Sequence, residues 1–192
     1  MKKLLILSLI LGVALSTPCF VQGLTVRKLA EYEEYQGHFH LAVNGLASVS
    51  DKKVVTYYVW DNAQNSFQKT EDASRIFSLD LPKLKQHNNE QTQYSFDISN
   101  SSFKGMVVVQ LVMVPQKHPS TYDPNRDFYV EVLLSGKSIF KSEMMNGVVE
   151  KFLGADVTND SAHEIVLEYA GVGGSGFTTY FVVFEVGPET QQ

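Results

Sequence analysis

Asp156, Thr158, Asp160 and Glu164 occupy the first, third, fifth and ninth positions of a short polar stretch that runs directly into the apolar run Ile165-Val166-Leu167. Calcium takes roughly six to eight oxygen ligands, and alternate residues of a tight turn can all aim at one centre. Carboxylates, the Thr158 hydroxyl and a backbone carbonyl would supply much of that shell. These four residues are therefore the candidate metal ligands, and calcium is the candidate cofactor. The same spacing recurs in Asp123, Asn125, Asp127 and Glu131, interrupted by Pro124 and Phe128. That second set reads as an Asx-type turn opening the strand that follows it.

His38 and His40 stand two apart in a strand-like run, so both face the same side, a spacing that zinc and copper sites use. Two ligands do not make a site, and His87, His118 and His163 are scattered. The pair reads as polar-face histidines. Nucleophilic chemistry has little to start from: Ser175 sits in Gly-Gly-Ser-Gly-Phe, where Phe177 takes the place of the second glycine of a nucleophile elbow. Ser101 and Lys104 form Ser-x-x-Lys without its companion motifs. The glycine-rich run 171–176 has no following Lys-Ser or Lys-Thr and leads into a strand pattern, so it reads as a hairpin turn and not as a phosphate loop.

Residues 150–187, with Asp156, Asp160 and Glu164 at its acidic positions, resemble the FG-GAP or VCBS-type repeat, the calcium-loop-plus-strands unit of integrin-like propellers and many secreted bacterial proteins. Thr158 replaces the usual Asp or Asn, and Ser161 stands where the family places glycine. The resemblance implies a calcium loop bracing a C-terminal hairpin. One such unit is not a propeller, which needs at least about four blades, and no self-similar period supplies them.

The elements that must position these residues follow an all-β rhythm. Runs rich in Val, Tyr, Phe, Ile and Thr alternate with period two between Gly, Asn, Asp, Ser and Pro. The pattern predicts strands near residues 37–43, 53–61, 75–80, 92–98, 105–114, 127–134, 137–141, 148–153, 164–169 and 178–186. Asn44-Gly45, Asp61-Asn62, Ser135-Gly136 and Asn146-Gly147 are turn dipeptides. Val26, Leu29 and Ala30 stand at helical spacing and predict one short N-terminal helix over residues 26–35. The expected fold is all-β, mainly antiparallel, a β-sandwich or barrel-like arrangement, forming one domain over residues 24–192. Its longest loop, and the only seam, is the triple-proline stretch at residues 115–126. Alternation places Tyr58 and Trp60 on one strand face and Tyr57 on the other, and Phe177, Tyr180, Phe181 and Phe184 make a second aromatic strand.

Lys2 and Lys3 followed by the apolar run at residues 4–14 read as a signal peptide over residues 1–23, with cleavage after Gly23 or, less well matched, after Ser16. That run is too short to cross a bilayer, which takes about 20 apolar residues, and no later stretch is longer. Cys19 is the sole cysteine, so no disulfide framework is expected. Pro18 directly before it argues against lipoprotein processing and hence against a lipid anchor. Removing the two leader lysines takes the formal charge from −5 to −7. A net negative chain without a basic cluster argues against nucleic acid and anionic membrane surfaces as partners. Together these features predict an exported protein, periplasmic or secreted: a non-catalytic β-rich module that binds a protein or glycan partner or serves in the envelope. The alternative is a secreted hydrolase whose carboxylates converge only in the fold.

Overall fold

The computed structural model describes residues 23–42, 44–50, 55–71, 92–97, 106–115, 125–173 and 176–188. Residues 1–22 with Cys19, the predicted strand at 75–80, Ser101, Lys104, Ser175 and most of the 115–126 seam lie outside them. Among the described residues the chain is all-β and antiparallel, in the order β1 (Leu24–Tyr35), β2 (Gly37–Ala42), β3 (Gly45–Ser50), β4 (Val55–Asp61), β5 (Ser66–Thr70), β6 (Thr92–Asp97), β7 (Val107–Met113), β8 (Arg126–Leu134), β9 (Lys137–Lys141), β10 (Met145–Ala155), β11 (Glu164–Gly173) and β12 (Gly176–Pro188). No helix among them is long and apolar enough to cross a membrane.

An eight-stranded sheet runs β1-β12-β11-β10-β8-β7-β6, with β9 paired to β8, and a four-stranded sheet runs β2-β3-β4-β5. β10 joins the two halves of the larger sheet: Met145–Gly147 pair with Arg126–Phe128 of β8, and residues 148–155 pair with β11. The sheet folds over at this point. Val107, Val109 and Leu111 of β7 and Phe128, Val130 and Val132 of β8 then share a core with Ile165, Leu167, Val182 and Phe184. On the other face of β10, β11 and β12, the residues Leu153, Ala155, Val166, Phe181 and Val183 meet Phe39, Leu46 and Phe67 of the four-stranded sheet.

The central strands are thus covered on both faces, and this is why Ile165-Val166-Leu167 and Phe181-Val182-Val183-Phe184 are unbroken apolar runs. Flanking strands with one covered face keep the alternation; in β8 the buried residues are Phe128, Val130 and Val132. Burial of a side chain such as Phe181, fully inaccessible, stabilises the fold by about 1.5–3 kcal/mol. Tyr58 and Trp60 pack toward the second core, as their alternation required.

Residues 26–35 are not a helix but most of β1, paired with β12 from Leu24↔Pro188 to Tyr35↔Thr178. The helical spacing of Val26, Leu29 and Ala30 has another cause. A bulge between Lys28 and Ala30 inserts one residue into the strand. Leu24 and Val26 therefore face the first core, while Leu29, Ala30 and Tyr32 face the second. One extra residue in a period-two pattern mimics a step of three and four.

β3 and β5 lie outside the predicted strand ranges. Gly45-Leu46-Ala47-Ser48 is buried without alternation, so its small residues carry no period to read. Asn146-Gly147, expected as a turn, lies inside β10, where a Cβ on Gly147 would come within 2.7 Å of the Ala170 carbonyl oxygen. Here glycine serves close strand approach. Ser135-Gly136 does form the two-residue β8–β9 turn, both residues at positive φ (50° and 81°).

Candidate functional site

The segment between β10 and β11 closes on its own side chains. Asp156 accepts hydrogen bonds from the backbone N–H groups of Asp160 (3.2 Å, Oδ1) and Ser161 (2.9 Å, Oδ2), and Asp160 Oδ1 accepts from Ala162 N–H at 2.8 Å. Asn159 and Ser161 take the left-handed conformation, φ 60° and 72°, that this tight turn demands. Ser161, where a glycine was expected from the resemblance, adopts that conformation itself. Inside the turn Glu164 is buried, its Oε2 accepting from Val157 N–H at 2.8 Å and its Oε1 from the Thr158 hydroxyl at 3.2 Å.

Burial pushes the Glu164 carboxyl up to about 8, with the charges of Asp160 and Asp156 adding to the rise, while the Val157 and Thr158 hydrogen bonds oppose it. All four predicted ligands are thus drawn into one loop. Their oxygens are engaged in holding the turn.

The second spaced set disperses. Asn125 exchanges two hydrogen bonds with the backbone of Val172, at 3.0 and 3.1 Å. Asp127 Oδ1 accepts from Asn146 Nδ2 at 2.7 Å, and Glu131 Oε2 from Gln110 Nε2 at 2.7 Å. Asn125, Asp127 and Glu131 each serve a different strand contact, and Asp123 lies outside the described residues.

A polar cluster that the sequence did not announce lies where the two sheets meet. β2 is an edge strand, and the N–H and C=O of Phe39 point away from its partner β3. Glu168 Oε1 accepts from Phe39 N–H at 3.2 Å, and Lys151 Nζ donates to Phe39 O at 2.9 Å. Lys151 also pairs directly with Glu168 Oε2. The neighbouring edge carbonyl, Gly37 O, accepts from the buried Thr179 hydroxyl at 2.7 Å. Three side chains from β10, β11 and β12 therefore act as a substitute strand, satisfying backbone groups that would otherwise cost about 1–3 kcal/mol each.

His38 and His40 flank Phe39 and point outward, as their spacing required. With Gln36, Val49, Ser50 and Phe177 they line an open pocket of about 440 Å³, and the His38 ring lies 5.7 Å from the Phe177 ring. His38 also meets two carboxylates. Ligand atoms of His38, Glu150 and Glu168 all lie within 4.8 Å of one another, the one such group of His, Cys, Asp and Glu side chains among the described residues. The signal in the sequence was Glu168, a single charge inside the run Ile165–Ala170 that is otherwise wholly apolar or aromatic.

A larger pocket opens on the other face of the central sheet. It has a volume of about 540 Å³ and lies between β1, the face of β11 and β12, and the β9–β10 connection. Its floor is aromatic: Tyr169 and Tyr180 stack at 4.9 Å with an 18° tilt, and Phe140 and Phe184 lie 5.6 Å apart. Met144, 56 % exposed, stands at its mouth, and the Lys28–Glu31 ion pair lies on the β1 side. Burial raises the Tyr169 hydroxyl to about 12, with Glu31 and Tyr180 contributing, so the ring stays neutral at all ordinary pH. Ser142 anchors the connection by accepting from Val130 N–H at 2.9 Å through its hydroxyl and donating its own N–H to Val130 O at 2.9 Å.

Compared with known proteins, the chain matches no family model, no curated protein and no solved structure.

Proposed function

We propose that this protein is an exported, non-catalytic binding module whose partner engages the aromatic pocket between β1 and the β9–β10 connection. The observation that carries this reading is the pocket itself: its volume of about 540 Å³ falls in the range of roughly 300–1,000 Å³ typical of ligand sites, and its floor is four aromatic rings. Polar groups flank these rings, Lys28 and Glu31 from β1 and Lys141, Ser142, Glu143 and Asn146 from the β9–β10 side. Such a site suits a ring or apolar chain bearing a polar head, presented by a glycan or by a side chain of a protein partner. The calcium-loop-like element at residues 156–164 serves as a brace that fixes β10 against β11.

The alternative, a hydrolase built on paired carboxylates, would need two that a substrate can reach. Glu150 and Glu168 are brought together, but Glu168 is wholly inaccessible and holds Phe39 and Lys151. A substrate has no path to it, and the binding reading is preferred.

The test is a titration with anilinonaphthalene sulfonate, an aromatic probe with an anionic head. Wild-type protein should enhance its fluorescence saturably, and Met144→Glu, at an exposed position that leaves the fold intact, should weaken binding about tenfold or more by placing an acid at the mouth. Tyr180→Ala should do the same by removing half of the tyrosine stack. Unchanged probe affinity in both variants would place the binding surface elsewhere and sink this assignment.

A further inference from the structure

We propose that His38, Glu150 and Glu168 form a site for one divalent transition-metal ion, of the zinc class, at the junction of the two sheets. The three residues come from β2, β10 and β11, so the ion would join the four-stranded sheet to the central one. Imidazole nitrogen with carboxylate oxygen is a donor set for zinc and its first-row neighbours, more than for calcium, which takes oxygen alone.

The backbone has been adjusted to make this group. β10 pairs with β11 through Val149↔Tyr169 and then Lys151↔Glu168, which leaves Glu150 as the extra residue of a β-bulge. Val149 and Phe152 face the first core and Leu153 the second. Lys151 faces the second side, where it meets Glu168, and in a regular strand Glu150 would point the opposite way. The bulge turns both neighbours to the same face, and bulges are found where a side chain must be re-aimed.

Ligand atoms within 4.8 Å of one another need to move inward only modestly to bind at the usual zinc distances of about 2.0–2.2 Å. His38 and Glu150 are exposed; Glu168 is fixed, its position set by Phe39 N–H. Lys151 occupies the cationic role in the metal-free protein: its ammonium neutralises Glu168, and its side chain, 38 % exposed, can swing to solvent as the ion takes over. Two carboxylates against one ammonium leave the cluster with a net negative charge that favours a divalent ion.

The experiment is calorimetric titration of the metal-free protein with zinc chloride, with cobalt chloride as a spectroscopic substitute. Wild type should bind one equivalent, and its melting temperature should rise by about 5–10 °C at a hundredfold excess over Kd. His38→Ala and Glu150→Gln, both at exposed positions, should each weaken binding at least about tenfold and erase the cobalt bands in the visible region. Lys151→Met should tighten zinc binding, because it removes the competing cation. Asp160→Ala should leave zinc binding unchanged, separating this site from the 156–164 loop. Absence of a one-equivalent isotherm in wild type overturns the proposal, as does retention of wild-type affinity in both His38→Ala and Glu150→Gln.

Discussion

Replacing Lys151 with methionine tests whether the side-chain substitute strand holds the four-stranded sheet in place. The change keeps most of the stem's volume and removes one charge. Glu168 is left fully inaccessible without its ion-pair partner, and Phe39 O loses its donor. Breaking a buried pair from one side costs about 3–5 kcal/mol. Lys151 is 38 % exposed and partly screened by solvent, so the lower end applies: about 3 kcal/mol, or roughly 6–12 °C in a domain of this size.

Denaturant unfolding supplies the assay, followed both by far-ultraviolet circular dichroism and by the fluorescence of Trp60. Trp60 is the only tryptophan and stands in β4, so it reports on the four-stranded sheet. In Lys151→Met its transition should move to lower denaturant and separate from the dichroism transition, because the lost contacts are those that dock β2. Glu168→Leu combined with Lys151→Met should recover part of the loss, since no charge is then left buried. A cost below about 0.5 kcal/mol for Lys151→Met, or strict additivity of the two changes, would refute the idea that the pair is coupled and holds the sheets.

Glu164 should make stability fall as pH rises: its folded pKa of about 8 lies above the unfolded value of 4.5, so the proton's contribution is full below pH 4.5 and is lost through pH 8. Each unit is worth about 1.4 kcal/mol, giving up to about 5 kcal/mol across the window, and Glu164→Gln should flatten that slope in pH-dependent denaturation. Calcium at tens of millimolar should raise the melting temperature at pH 8.5 more than at pH 6, because binding must displace the Glu164 proton; Asp160→Ala should abolish the rise, and no rise at either pH leaves Asp156 and Asp160 as turn caps alone. Phe181→Ala removes an inaccessible ring in contact with Phe39 (5.2 Å between centroids) and should cost about 3–5 kcal/mol by equilibrium unfolding. Gly45→Ala should destabilise by more than about 1 kcal/mol, because its Cβ would come within 2.2 Å of the Tyr58 carbonyl oxygen and force β3 away from β4.

By itself the sequence determined the all-β class and most of the strands, because a strand covered on one face must alternate and a turn at positive φ favours residues such as Asn44 and Gly136. It also marked the 156–164 loop, since its hydrogen bonds are local and span at most seven residues. Local pattern misled at the bulge in β1, where one added residue gave strand side chains a helical spacing, and it was silent on β3, whose small residues are buried without a period. Only the tertiary structure decided the sheet junction. Glu168 lies 129 residues from Phe39, and nothing local to either says that an edge strand will take its missing hydrogen bonds from a carboxylate and an ammonium on another sheet. The aromatic pocket has the same origin: Phe140, Tyr169, Tyr180 and Phe184 each satisfy a strand's alternation, but their convergence depends on which strands become neighbours. Strand pairing over long separations is fixed by the packing of whole faces, so the residues that meet there are visible only once the faces are in place.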